Sequence, residues 1–331
     1  MLRASEAGRG GALAGLLLRL GVPRAARLLE RMRNAPSRTA AANALLRASD
    51  QRWPASERVL DDPYAARFLR WPLRLLLAWW RWGGPLALPL AALAPGARHL
   101  VLARHRVIDD ALLAALTDGP TEQVVLLGAG YDTRAWRFAG PLADRPVFEV
   151  DHPGTARRKS LVLDRAGAGL PPVRRRVVPV DFESDSLEDA LISAGFKPGR
   201  PTFWVWEGVA LYLSRPAVRD TLSTLSRLGG PGSQLACDFW FFVDRPDPVS
   251  TFHRISTAVL HLLGEPVIFA LHPEDARPFL ANEGWFLDEA IDAAAMVART
   301  AGGRPRRILP SFYVARARRV RDLARPAPLA R

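Results

Sequence analysis

Short apolar runs recur through residues 123–239, each bounded by turn residues, and this rhythm constrains the fold more than any other feature. The runs are Gln123–Leu127 (QVVLL), Pro146–Val150 (PVFEV), Val177–Val180 (VVPV), Thr202–Trp206 (TFWVW) and Gln234–Phe239 (QLACDF). Continuous apolar segments of this length mark strands buried on both faces. A helix-like segment, Ser186–Ala194, lies between the third and fourth runs. Strand and helix alternating in this way predict an α/β fold built on a doubly wound, mostly parallel sheet, with crossover helices on both faces. Gly284–Leu287 and Phe312–Ala315 are expected to supply a final strand pair. Residues 1–120 read as a mainly helical extension, with apolar positions at helical spacing in Arg38–Arg47, Pro63–Leu77 and Ala103–Leu116. The expected organisation is therefore a helical extension and cover over 1–120, a core over 121–318 with an insert at 239–273, and a basic tail over 319–331.

In such sheets ligands bind beyond the carboxyl ends of the strands, near the point where strand order reverses. The residues that follow each apolar run are thus the candidates for chemistry. After the first run comes Gly128-Ala129-Gly130-Tyr131-Asp132-Thr133. The glycines allow a tight turn and close approach of a ligand to the backbone, and Asp132 or Thr133 can cap the helix that follows. Asp151 closes the second run, 21 residues after Gly130, the distance at which an acid accepts hydrogen bonds from ribose hydroxyls. Asp181 and Glu207 follow the third and fourth runs. Four acids at one edge suit a ligand that carries hydroxyls, an amine, an ammonium and a sulfonium. They suit a pyrophosphate badly, and the third glycine of a dinucleotide turn is replaced by Thr133. S-adenosylmethionine has the first set of groups.

Composition removes other classes. The net charge of +13 invites nucleic acid, but all except two of the 46 basic residues are arginine and they are spread over the whole chain. No nucleic-acid partner is expected, and the densest run, Arg174–Arg176, reads as a solvated face. Cys237 is the lone cysteine, which excludes a disulfide framework and suits a reducing cytoplasm. The apolar run Ala12–Leu18 is broken by Arg19 and reads as part of a basic amphipathic helix, not an export signal. Leu73–Leu93 is rich in tryptophan, yet Arg74, Arg81, Gly83-Gly84-Pro85 and Pro89 interrupt it, so a pocket cover or core packing is expected before peripheral membrane contact. The histidines show no H-x-x-x-H metal spacing and no G-x-S-x-G elbow is present; no metal is expected.

The motifs themselves are recognisable. QVVLLGAGYDTRAWRF (Gln123–Phe138), FEVDHPGTARRK (Phe148–Lys159), VPVDFES (Val178–Ser184) and PTFWVWEGVALYL (Pro201–Leu213) resemble the leucine carboxyl methyltransferase family. The closer likeness is to its bacterial branch, O-methyltransferases associated with polyketide biosynthesis. LDDPYA (Leu60–Ala65), ARHRVIDD (Ala103–Asp110) and the late GWFLDEA and SFYVARA segments extend the likeness over roughly Thr39 to Arg318.

The resemblance implies a Rossmann-like class I methyltransferase that uses S-adenosylmethionine, and it implies roles by position. Gly128 and Gly130 would line the methionine side, and Asp151 would bind the ribose; Asp132, one of the four acids at the strand ends, is a further cofactor-binding candidate. Asp181 and Phe182 would hold the adenine, Arg104 the cofactor's carboxylate, and Glu207 would face the methionine or sulfonium. Arg47 matches loosely as a second carboxylate binder. Tyr212, soon after Glu207, is a candidate to bound the transfer site, and Glu207 and Tyr212 are the two candidate catalytic residues. The expected reaction is methyl transfer to a carboxylate or hydroxyl of a small molecule. A nicotinamide-dependent oxidoreductase and a non-catalytic cofactor-binding protein are the alternatives. Leu73–Leu93 and the insert Phe239–Pro273 are expected to cover the acceptor pocket together, with Trp79, Trp80, Trp240 and Phe242 meeting the acceptor or closing over it.

Overall fold

The computed structural model describes residues 37–81, 96–167, 169–242, 267–300, 308 and 310–320. The amphipathic N-terminal segment, the second half of Leu73–Leu93, most of the insert and nearly all of the basic tail lie outside the described residues.

Among the described residues three α-helices come first: α1 (Arg38–Asp50), α2 (Trp71–Arg81) and α3 (Ala97–Thr117). The alternation follows as β1 (Gln123–Leu127), α4 (Arg134–Arg137), α5 (Ala139–Leu142), β2 (Val147–Asp151), α6 (Pro153–Ala166), β3 (Arg175–Pro179), α7 (Leu187–Ser193), β4 (Thr202–Trp206), α8 (Arg215–Leu228) and β5 (Gln234–Trp240). The described residues close with α9 (Pro273–Asn282), β6 (Trp285–Ile291), α10 (Ala293–Thr300) and β7 (Phe312–Arg319). One seven-stranded sheet runs in the order β3-β2-β1-β4-β5-β7-β6. The first five strands in that order are parallel, and β7 lies antiparallel between β5 and β6. From β1 the order runs outward to β2 and β3 on one side and to β4 and β5 on the other. The reversal thus falls between β1 and β4.

The pleat of β1 shows why its sequence is apolar throughout. Val125 and Leu127 join the core formed with α7, α8 and α9, whereas Val124 and Leu126 join the core formed with α1, α3 and α4. Successive side chains of a strand point to opposite faces, so a central strand needs apolar residues at every position. The helical extension is consequently one of the two layers that bury the sheet.

Two expectations require correction. Pro63–Leu77 is not one helix: a 3-10 turn spans Ala65–Phe68, Leu69 is extended (φ −76°, ψ 139°), and α2 starts only at Trp71. Asp62 caps the turn by accepting from the Tyr64 and Ala65 N–H groups at 3.2 and 3.0 Å. Pro72 has no N–H to continue a helix from the preceding turn and is tolerated only near a helix start. Arg175 does not belong to a solvated run. It lies in the edge strand β3, pairs with Glu149 Oε2 at 2.7 Å and sits over the Trp136 ring. The predicted final strand pair forms as β6 and β7, both longer than the apolar signal, with a register shift between Leu287 and Glu289. Among the described residues no helix is long and apolar enough to cross a membrane.

Candidate functional site

The turn after β1 depends on glycine. Gly128 has φ +63°, and a Cβ built there would lie 2.0 Å from Val209 Cγ2. Gly130 also has positive φ, and its N–H donates to Asp151 Oδ2. The His152 N–H donates to Asp151 Oδ1 at 2.7 Å, so the carboxylate at the end of β2 is fixed from two sides. Burial nevertheless dominates, and the Asp151 pKa is pushed up to about 6. His152 itself is the N-cap of α6, its Nδ1 accepting from the Gly154 N–H at 3.3 Å.

Asp181 and Phe182 follow β3 at the rim, both half-buried. Asp181 Oδ1 accepts from the Glu183 N–H at 3.1 Å, and Phe182 packs against the α7–α8 core. Glu207 follows β4 directly. Its Oε1 accepts from Arg104 Nε at 3.0 Å, and its Oε2 accepts from Arg134 Nη2 at 2.7 Å and lies 2.9 Å from His105 Nδ1. Arg104 is anchored a second time by Nη1, which donates to Asp238 Oδ2 at 2.9 Å. Gly208, at φ +71°, leaves room for the guanidinium; a Cβ there would lie 3.3 Å from Arg104 Nη2.

Arg134, in the first turn of α4, is 1% exposed and serves three carboxylates. Nε donates to Asp109 at 2.6 Å, Nη1 to Asp132 at 2.6 Å and Nη2 to Glu207. Asp132 also caps α4 by accepting from the Arg134 N–H at 2.7 Å; Thr133 instead donates its hydroxyl to Asp62 at 2.8 Å. Burial opposes ionisation of Asp132 and Glu207, but Arg134 holds Asp132, and His105 with Arg134 and Arg104 holds Glu207, well below the usual carboxylate range. On the other side, Arg47 of α1 donates to Asp62 at 2.9 Å and to the Tyr131 carbonyl at 2.5 Å. This pins α1 against the glycine turn and places Thr39, Ala40 and Asn43 on the cavity wall.

One cavity at the β1–β4 reversal is lined by Arg104, Gly128, Gly130, Asp132, Asp151, Asp181, Phe182, Glu207 and Tyr212, together with Arg47. The residues singled out from the sequence thus converge on a single space. Tyr212 reaches it from a 3-10 turn (Ala210–Tyr212) and packs beside Leu211, Trp240 and Phe312. His105, Asp132 and Glu207 bring ligand atoms within 4.8 Å of one another. Guanidiniums already occupy both carboxylates, which makes this an arginine site by its donor set. Trp79 and Phe242 are exposed and Trp240 is buried in its own cluster; none of the three lines this cavity, and most of the two segments expected to cover the acceptor lies outside the described residues. Trp71, Leu75 and Trp79 form an outward stripe on α2, and Trp240 packs on Phe312. The Trp80 side chain lies outside the described residues.

Sequence reasoning missed His105, Arg134, Asp109 and Asp238. Asp238 was reachable by the rule of acids at strand ends, but it lies within β5, two residues before its end. Arg134 and His105 stand in the quoted motifs, yet a buried role for a charged residue leaves no periodic signal.

The leucine carboxyl methyltransferase family model matches residues 40–226. A protein of Parafrankia sp. named as an S-adenosyl-L-methionine-dependent methyltransferase is 38% identical over 206 residues, 61% of this chain and 62% of that one. One of Frankia alni with the same name is 33% identical over 245 residues, 70% of this chain and 76% of that one. The chain spans about three fifths of the length of the first relatives it matches. The crystal structure of a protein from Thermobifida fusca, named as a methyltransferase, shares the fold at a TM-score of 0.53 and 14% identity, over 82% of this chain and 97% of that one. With the family model matching more than half of its length, this chain belongs to the leucine carboxyl methyltransferase family.

Proposed function

We propose that this protein is an S-adenosylmethionine-dependent methyltransferase that methylates an oxygen of a small molecule, with a carboxylate as the acceptor group. The observation that carries the cofactor assignment is the single cavity uniting the glycine turn, Asp151, Asp181 with Phe182, and Arg104. Its floor is bare backbone at Gly128 and Gly130, which fits a ligand lying against the turn. In this reading Asp151 takes the ribose hydroxyls, Asp181 and Phe182 the adenine, and Arg104 the amino-acid carboxylate. The names of the relatives support the same cofactor. When bound, S-adenosylmethionine supplies an electrophilic methyl group on a sulfonium.

A dinucleotide is disfavoured by the same turn. The first N–H of α4 is taken by the Asp132 carboxylate, so a pyrophosphate would meet a negative charge where it needs free donors.

The choice of a carboxylate over a hydroxyl rests on the absence of a free base beside Glu207 among the described residues. Glu207 and Asp132 are locked to guanidiniums, and both ring nitrogens of His105 are engaged. A hydroxyl acceptor must lose a proton, whereas a carboxylate is already ionised at neutral pH. Catalysis then consists of alignment and exclusion of water. Calorimetry with S-adenosylmethionine and with a nicotinamide dinucleotide tests the cofactor: binding of the second alone overturns the assignment. Turnover against pools of carboxylic acids and of phenols, read by mass spectrometry, tests the acceptor: methyl ethers without methyl esters overturn the carboxylate.

A further inference from the structure

His105 follows Arg104 on α3, is 2% exposed, and has both ring nitrogens committed. Nδ1 lies 2.9 Å from Glu207 Oε2, and Nε2 lies 2.9 Å from Arg137 Nη2. A guanidinium nitrogen only donates. Nε2 is therefore the acceptor in its contact and carries no proton. The ring's single proton sits on Nδ1 and is donated to the Glu207 carboxylate. An imidazolium would turn an N–H toward the Arg137 N–H and add a third positive charge beside Arg134 and Arg137. The backbone is held as well, since the His105 carbonyl accepts from Arg134 Nη2 at 3.2 Å.

The partner of that proton is one of the two groups that aim Arg104, the other being Asp238, which accepts from Nη1. Glu207 Oε1 receives Arg104 Nε, so rotation of the carboxylate would carry the guanidinium with it. Arg134 alone cannot fix Glu207, because it is shared with Asp109 and Asp132. We propose that His105 is a positioning residue for cofactor binding: as the neutral Nδ1–H tautomer it fixes Glu207, and Glu207 directs Arg104 into the cavity. This rests on the reading that the cavity takes S-adenosylmethionine and that Arg104 meets its carboxylate.

The test uses two ligands and three variants. 5′-Methylthioadenosine has the adenine, ribose and thioether of the cofactor but no amino-acid group, so it does not report on Arg104. In His105→Asn the carboxamide nitrogen stands where Nδ1 stood and keeps the donor to Glu207. In His105→Gln the polar group reaches the Nε2 position and keeps only the Arg137 contact; His105→Leu keeps neither. Affinity for S-adenosylmethionine is expected to stay within about threefold of wild type in His105→Asn and to fall about tenfold or more in the other two, the scale of one charge-assisted hydrogen bond. Methylthioadenosine affinity is expected to be unchanged in all three, which also shows that each variant is folded. Equal losses for both ligands would indicate a merely structural role and overturn the inference, as would wild-type affinity in His105→Leu. Nitrogen-15 NMR of the wild-type ring is expected to show a protonated Nδ1 and a bare Nε2 across neutral pH; the opposite tautomer overturns it. If the wild-type protein binds methylthioadenosine but not S-adenosylmethionine, the Arg104 assignment fails and this inference with it. If it binds neither, the cofactor reading itself fails.

Discussion

Replacing Asp151 with asparagine is expected to raise the stability of the ligand-free protein above pH ~7 while lowering its affinity for S-adenosylmethionine. Burial lifts the Asp151 pKa from 3.8 to about 6. For a carboxyl group, a folded-state pKa above the unfolded value means that the folded state holds its proton more tightly. The cost of ionising the buried group is therefore absent below about pH 4, grows between the two pKa values, and is complete above about pH 6. The shift corresponds to about 3 kcal/mol when the cost is complete. Asparagine never ionises and escapes it. Its amide accepts from only one of the Gly130 and His152 N–H groups that Asp151 serves, a loss of about 1 kcal/mol. The variant should thus be more stable than wild type by about 2 kcal/mol at pH ~8 and less stable by about 1 kcal/mol at pH ~4. Urea unfolding of both proteins across this range measures the difference. Calorimetry at pH ~8 should show affinity for S-adenosylmethionine weakened about 30- to 150-fold, from the loss of a charged acceptor for ribose. A stability difference that does not change with pH would refute the assignment of a buried, ionised Asp151 in the folded protein.

Three further outcomes are expected. Gly128→Ala places a methyl group against Val209 at a left-handed backbone position and should destabilise the fold by about 1–3 kcal/mol in thermal or urea unfolding, with partial rescue by Val209→Ala. Arg134→Met leaves Asp109, Asp132 and Glu207 facing one another without their shared cation and should cost about 3–5 kcal/mol by the same measurement. Asp181→Asn should weaken adenosine binding modestly, whereas Glu207→Gln should leave adenosine binding intact and reduce turnover; equal losses of adenosine affinity would remove the division of roles.

The sequence was most legible where one residue's chemistry repeats in the pattern. β1 and β4 appear with the bounds that the apolar runs predicted, because a central strand buried on both faces needs nothing except apolar side chains. The acids that follow the runs could be placed together by topology alone. Less was legible where a charged residue is buried. Arg175 looked like part of a solvated triplet until β2 supplied Glu149 as its neighbour across the sheet. Arg134 and His105 depend on partners from α3, β4 and the turn after β1, and pair spacing along the chain carries no trace of that. Pro63–Leu77 has helical apolar spacing throughout, yet Pro72 and the Asp62 cap divide it; local backbone chemistry overrode the period there.

The separation of the charged partners in the chain bears on how the protein folds. Arg104 and Asp238 are 134 residues apart, Arg104 and Glu207 are 103 apart, and Arg134 and Glu207 are 73 apart. Contacts across such loops form only once the ends have been brought together, and pairings this remote slow the search. A partly collapsed chain that had desolvated Arg134 before β4 joined β1 would hold a guanidinium short of a counter-ion. Such a species is penalised by the energy of an unpaired buried charge. The cluster around the cavity therefore works against half-assembled sheets: it favours a transition in which α3, β1, β4 and β5 come together as a unit, and the ligand site comes into being with the last strand of that set.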